Sequence, residues 1–311
     1  MKIAFLGTPD FAVPSLRALV SAGHDVVGVF TQPDRPRDRG HKLQMSPTKE
    51  AALELGLKVY EFQRIRRAEG VAAMTELAPD LMVTAAFGQI LSQKLLDIPR
   101  FGCINVHGSL LPKYRGPAPV QWAVINGEAE TGITTMQTDA GIDTGDMLLQ
   151  RTTGIDPEET AGELFERLAV LGAETLLETL DLLQVGKLVR VPQNHDEATH
   201  FPMLDKATGR IDWSKTPREI HNLVRGVSPW PGAWTMQGKE MIKIWRVAPL
   251  DEPGTPGTVL RADSKAGLVV GAAGGSVRVL ELQLPGKKRM NAEDYLRGSA
   301  RLTEGTVLDG D

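Results

Sequence analysis

K-I-A-F-L-G-T-P-D-F-A-V-P-S-L-R-A-L-V-S-A-G-H-D-V-V-G-V-F, residues 2–30, reads as strand, helix, strand. Lys2 to Leu6 is a short apolar run stopped at Gly7, Pro14 to Ser21 carries helical spacing, and His24 to Phe30 is a second buried run rich in valine. Two buried strands joined by a helix form a right-handed parallel unit. The first turn holds one glycine and lacks the G-x-G-x-x-G fingerprint, so a Rossmann-like sheet is expected without a dinucleotide.

Further elements continue this pattern. Ser46 or Thr48 caps a helix through Leu55, Leu57 to Tyr60 is a third strand, and Leu81 to Ala86 a fourth. Phe101 to Val106 follows as a strand, Ala118 to Ile125 as a helix and Thr131 to Thr138 as a β-rich strand. Thr160 to Val185 is a long helix whose Leu164, Leu168, Leu171, Leu176, Leu180 and Leu183 form one buried stripe. Pro192 to Leu204 lacks periodicity and reads as a linker, with His195 and His200 as ordinary surface or linker residues. Pro217 to Gly226 is a short helix, and from Trp234 onward short strands alternate with glycine and proline turns, the pattern of a small OB-like β-barrel. The expected fold is therefore an α/β, Rossmann-like parallel-sheet domain over 1–190, a linker over 191–207 and the barrel over 208–311.

Composition agrees with a soluble chain of about two domains. The 311 residues are 41% hydrophobic and 24% charged. One cysteine, Cys103, excludes an intramolecular disulfide and fits a reducing compartment. No apolar run reaches membrane-spanning length, and the N-terminal run is too short for a signal peptide, so a cytoplasmic protein is expected. Net charge is −4, but residues 1–205 hold 19 Lys and Arg against 27 Asp and Glu, while 206–311 hold 16 against 12. The basic C-terminal third either meets a polyanion or carries a modest solvated excess of lysine.

Chemistry concentrates in G-C-I-N-V-H-G-S-L-L-P-K-Y-R-G-P-A-P, residues 102–119. On a strand, Asn105 and His107 point to one face about 6.5–7 Å apart, an amide donor beside an imidazole. Taken alone, the pair also fits a buried strand end. The glycine-rich acidic turn T-D-A-G-I-D-T-G-D, residues 138–146, supplies a third group, because Asp143 can reach back toward His107. Its spacing matches no EF-hand loop, and no metal is expected. Ligands of open parallel sheets bind beyond the strands' carboxyl ends, so Phe87 to Leu91 is a candidate wall for a flat organic ligand. Cys103 reads as packing. Thr31 to Lys49 is the most loop-like stretch of the N-terminal half and carries Arg35, Arg37, Arg39, His41, Lys42 and Lys49. Such a basic loop either grips phosphates or is simply solvated.

G-T-P-D-F at 7–11, T-Q-P-D-R-P at 31–36, N-V-H-G-S-L-L-P-K-Y-R-G-P-A-P at 105–119, M-Q-T-D-A-G-I-D-T-G-D-M-L at 136–148, G-R-I-D-W at 209–213 and S-P-W-P-G-A at 228–233 together resemble the methionyl-tRNA formyltransferase family of 10-formyltetrahydrofolate-dependent enzymes. The resemblance spans both expected domains. It implies transfer of the formyl group of 10-formyltetrahydrofolate to the α-amino group of methionine on initiator tRNA, in translation initiation. It puts the catalytic trio on Asn105, His107 and Asp143, with the Asn105 amide and the His107 N–H on the formyl oxygen and Asp143 orienting the histidine. The folate pocket would use Ala86, Phe87, Gly88, Gln89, Ile90 and Leu91, then Ser109, Leu110, Leu111 and Pro112, then Asp139, Ala140, Gly141 and Ile142. Initiator tRNA would meet Arg35, Arg39 and Lys42 in the loop and Lys287 and Lys288 in the barrel. The loop reads R-P-R-D-R-G-H-K at 35–42, where the family usually has R-P-A-G-R-G-K-K, so Asp38 and His41 depart from it; Met203 likewise stands where a lysine is common. A monomer is expected.

Overall fold

The computed structural model describes residues 1–37, 42–298 and 301–309. Contacts divide the chain into unit 1, Met1–Pro119, Glu130–Gly154 and Phe165–Pro202, and unit 2, Val120–Ala129, Ile155–Leu164 and Met203–Asp311.

Unit 1 is built on β1 (Lys2–Gly7), α1 (Ala12–Ser21) and β2 (Asp25–Thr31), the strand-helix-strand unit of the opening stretch. Then come the short strands β3 (Arg35–Arg37) and β4 (Lys42–Gln44), α2 (Pro47–Glu54), β5 (Val59–Glu61), α3 (Ala68–Leu77), β6 (Leu81–Ala85), α4 (Gln93–Leu96) and β7 (Cys103–His107). Ser46 caps α2 by accepting from the Lys49 N–H, with Pro47 in the first turn where its missing donor costs nothing. Helix α5 (Pro119–Ile125), counted with unit 2 from Val120, precedes β8 (Glu130–Gln137) and β9 (Met147–Gly154), and α6 (Ala161–Gln184), counted with unit 1 from Phe165, follows. The stripe of α6 is buried at Leu164, Leu168, Leu176 and Leu180, whereas Leu171 and Leu183 are half-buried.

One seven-stranded sheet runs in the order β5-β2-β1-β6-β7-β8-β9. The five strands from β5 to β7 are parallel, but β8 pairs antiparallel with β7, and β9 with β8. The expected Rossmann-like parallel sheet is thus present, extended at one edge by two antiparallel strands. The strand order reverses between β1 and β6, the kind of switch point at whose carboxyl edge open α/β sheets bind ligands, and Thr8 and Ala86 leave the sheet there.

The 31–49 stretch also needs correction. It contains an antiparallel pair, β3 with β4, in register Arg35↔Gln44 to Arg37↔Lys42. Lys49 is not available to a partner molecule as a free cation, because its ammonium lies 2.8 Å from both Asp34 and Glu61.

Unit 2 carries α7 (Pro217–Gly226), β10 (Ala233–Gln237), β11 (Glu240–Leu250), β12 (Val259–Asp263), β13 (Gly267–Ala272), β14 (Gly275–Gln283), β15 (Met290–Asn291) and α8 (Ala292–Arg297). Thr216 and Glu219 close α7 with a reciprocal capping box. The strands form a six-stranded antiparallel sheet, β10-β11-β14-β13-β12 with β15 on β14. Register shifts between Ile244 and Val247 let β11 coil over a core of Ile220, Val224, Ile242, Ile244, Leu268, Val270 and Val277. Among the described residues, no helix is long and apolar enough to cross a membrane.

Candidate active site

Asn105 stands beside Thr84 on the neighbouring parallel strand, and the Thr84 hydroxyl donates to Asn105 Oδ1 at 2.8 Å. That bond fixes the amide orientation, since the oxygen faces the hydroxyl and the Nδ2 donors face the other way. His107 closes β7 and is only 6% exposed. Its Nε2 lies 3.0 Å from the Tyr114 carbonyl oxygen. A carbonyl only accepts, so Nε2 carries a hydrogen and donates it.

Nδ1 of His107 faces Asp143 Oδ1 at 3.7 Å, too long for a hydrogen bond but close enough for the carboxylate to favour an imidazolium once one forms. The expected His107 N–H toward a substrate oxygen is corrected accordingly. The N–H of the neutral ring is taken by Tyr114, and the atom turned toward Asp143 is Nδ1.

Backbone geometry holds these groups. Asp143 and Tyr114 adopt φ of 52° and 60°, left-handed conformations that cost a non-glycine residue about 1–3 kcal/mol and persist only where neighbours enforce them. Asp143 Oδ2 accepts from the Gly116 N–H at 2.9 Å. Gly116 has to be glycine: at φ 109° a Cβ would sit 2.6 Å from the Phe201 carbonyl oxygen. Gly145 is equally constrained, with its Cβ position 1.8 Å from the Gln137 oxygen.

The candidate folate residues divide by environment. Ala86 has φ of 46° and Gly88 of 76°, so the chain turns sharply at the switch point. Phe87 is buried in a core cluster with Leu91, and Ile90 is exposed. The carbonyl of Phe87 accepts from the Thr8 hydroxyl at 3.0 Å and from Gln32 Nε2 at 3.1 Å. Gln89 turns inward, accepting from the Ile65 N–H and donating to the Phe62 carbonyl, both at 2.7 Å. Ser109 is buried and donates to the Lys113 carbonyl; Leu111 is buried, with Leu110 and Pro112 half-buried. Asp139 accepts from the Gly141 N–H and the Thr144 hydroxyl, leaving Ala140, Gly141 and Ile142 exposed.

Of the candidate tRNA residues, Arg39 lies outside the described residues, as do Asp38 and His41. Arg35 and Lys42 fall in β3 and β4, and Lys287 and Lys288 are exposed between β14 and β15.

Sequence reading missed four residues: Thr84, which orients Asn105; Thr199, whose hydroxyl accepts the Tyr114 N–H; Gln193, whose amide donates to the Asp143 carbonyl; and Arg115, which donates to Gln193. Thr84 was legible as the polar residue in an otherwise apolar strand; the others carry no spacing signal. Cys103 is buried, and burial pushes its thiol up to about 11. Only the thiolate is nucleophilic. A thiol reagent at mildly alkaline pH is therefore expected to label Cys103 only after denaturation; rapid labelling of the native protein would contradict the packing role.

Residues 1–180 match the family model "Formyl transferase", and residues 203–300 match "Formyl transferase, C-terminal domain". The methionyl-tRNA formyltransferase of Geobacter metallireducens is 53% identical over 308 residues, covering 99% of this chain and 98% of that protein. That of Clostridioides difficile is 48% identical over 310 residues, covering 99% and 100%. The chain belongs to the methionyl-tRNA formyltransferase family. The crystal structure of an N-formyltransferase from Helicobacter canadensis, in complex with folinic acid and dTDP-3-aminofucose, has the same fold, with a TM-score of 0.69 at 22% identity over 90% of this chain and 98% of that one.

Proposed function

We propose that the protein transfers the formyl group of 10-formyltetrahydrofolate to the α-amino group of methionine on initiator tRNA. The observation that carries this reading is an Asn105 amide oriented by Thr84 on the same strand as buried His107, whose Nδ1 faces Asp143, in a chain 53% identical to a methionyl-tRNA formyltransferase.

The methionyl amine attacks the formyl carbon, a C–N bond forms, and negative charge collects on the formyl oxygen. Asn105 Nδ2 donates to that oxygen from a fixed position, the kind of preorganised donor that stabilises a developing oxyanion. His107 Nδ1 takes the amine proton, and Asp143 stabilises the imidazolium that results. The proton then passes to N10 of the folate as the formyl C–N10 bond breaks and tetrahydrofolate leaves. No covalent enzyme intermediate is needed.

The turn 86–91, the segment 109–112 and the turn 139–142 line the proposed folate site, with Gln89 and Phe87 shaping it from behind. Arg35, Arg39 and Lys42, and separately Lys287 and Lys288, are the proposed phosphate contacts for the tRNA. The same reading puts the enzyme in the cytoplasm, where initiation occurs, acting as a monomer.

An acceptor comparison tests the assignment. With 10-formyltetrahydrofolate, methionylated initiator tRNA should be formylated in preference to methionylated elongator tRNA, glycinamide ribotide and amino-sugar nucleotides. Preferential formylation of one of the small amines would move the activity to another formyl transferase.

A further inference from the structure

Residues 191–202 carry no periodic pattern, yet they include a built polar joint. Gln193 is 6% exposed, and Arg115 opposite it is 3% exposed. Arg115 Nε and Nη2 both donate to Gln193 Oε1, at 3.0 and 2.6 Å, and Nη2 lies 3.1 Å from His195 Nδ1. A guanidinium is a donor only, so Arg115 locks the Gln193 amide with its oxygen inward and its NH2 outward. That NH2 donates to the carbonyl oxygens of Asp143 at 2.9 Å and Gly145 at 2.7 Å. Both carbonyls belong to the turn in which Asp143 takes its left-handed conformation.

Farther along, the same segment grips the other side of the site. Thr199 accepts the Tyr114 N–H through its hydroxyl at 2.8 Å and the Arg115 N–H through its carbonyl at 2.9 Å. Phe201 returns its N–H to the Arg115 carbonyl at 3.2 Å, and its ring stacks on Tyr114 with centroids 5.0 Å apart. One strap is therefore fastened both to the turn bearing Asp143 and to the residue whose carbonyl fixes His107 Nε2. His195 and His200 are both exposed; within the strap His195 contacts buried Arg115, and His200 bridges to it through the backbone.

We propose that Gln193 is a positioning residue for formyl transfer: its amide, oriented by Arg115, holds Asp143 opposite His107 Nδ1. The inference rests on the assignment of His107 and Asp143 to the reaction. Gln193 acts through the backbone of Asp143, so its loss should affect the chemical step more than substrate capture. A misplacement of about 1 Å in a catalytic group can cost about 10²-fold in rate.

Gln193→Glu is the discriminating variant. Its carboxylate still accepts from Arg115, which keeps the buried cation paired, but an oxygen replaces the NH2 and opposes the two carbonyls. Steady-state formylation of methionylated initiator tRNA by the full chain should show kcat lowered by about 10- to 100-fold, with KM for tRNA within about threefold and the folded fraction unchanged. Gln193→Met, which removes both halves of the joint, should lose kcat at least as far per folded molecule. A kcat within twofold of wild type for Gln193→Glu, a loss that only tracks the folded fraction, or a rise confined to the folate KM would overturn the proposal. His107→Ala assayed in parallel separates the two levels. If that variant keeps the wild-type rate, the site assignment itself is wrong; if it is inactive while Gln193→Glu is not impaired, only the positioning role fails.

Discussion

His107→Ala is expected to lower kcat for formyl transfer by about 10²- to 10⁴-fold, the range for loss of a general acid–base group, while tRNA affinity stays within about threefold. The imidazole is buried, one nitrogen is committed to the Tyr114 carbonyl, and the other faces a carboxylate at 3.7 Å. Nothing in that arrangement binds a phosphate backbone. In the proposed mechanism the ring moves one proton from the amine to the leaving folate nitrogen, and alanine can do neither part. Titration of tRNA binding beside the kinetic assay checks the split; a variant that bound tRNA poorly but turned over normally would mean that His107 is a contact residue.

The second large effect is at Asn105. Asn105→Asp keeps an acceptor for the Thr84 hydroxyl, so the strand pair retains its 2.8 Å bond. It removes the Nδ2 donors and adds negative charge where the formyl oxygen becomes negative. Loss of one oxyanion donor alone costs about 10²- to 10³-fold in kcat, or about 2.7–4 kcal/mol, and the added charge acts in the same direction. Thermal unfolding should change little, because the pairing of β6 with β7 is untouched. Rates within threefold of wild type would remove Asn105 from the oxyanion role.

How much of this was legible in the chain depends on where each element draws its stability. The opening strand-helix-strand unit, the leucine stripe of α6 and the short helix α7 are local patterns, and each was readable from residue spacing alone. The motif stretches around Asn105, His107 and Asp143 were readable because polar residues interrupt apolar strands or sit among glycines that force turns. Direction was not: a period-two pattern such as T-G-I-T-T-M-Q serves a parallel or an antiparallel neighbour equally, so the reversal at β8 was invisible. The strands β3 and β4, three residues each, are too short for a period to appear. The strap at 191–202 was hidden for a different reason. It is held by the hydrogen bonds that Gln193 makes through both ends of its amide, by those that Thr199 accepts, by the Phe201 N–H and by one ring stack, and a buried glutamine in an aperiodic segment has the same sequence signature as a solvated one. The choice of His107 nitrogen likewise depends on the Tyr114 carbonyl, a backbone group that no residue type announces.

The most direct test of the central claim is a single-turnover measurement: enzyme in excess over methionylated initiator tRNA, with the formyl group of 10-formyltetrahydrofolate isotopically labelled. The label should leave the folate and appear as a formyl amide on the methionine nitrogen at one and the same rate, with Asn105→Asp and His107→Ala slowing both together. Release of the label as free formate, or an unformylated methionine at the end of the reaction, would contradict the account.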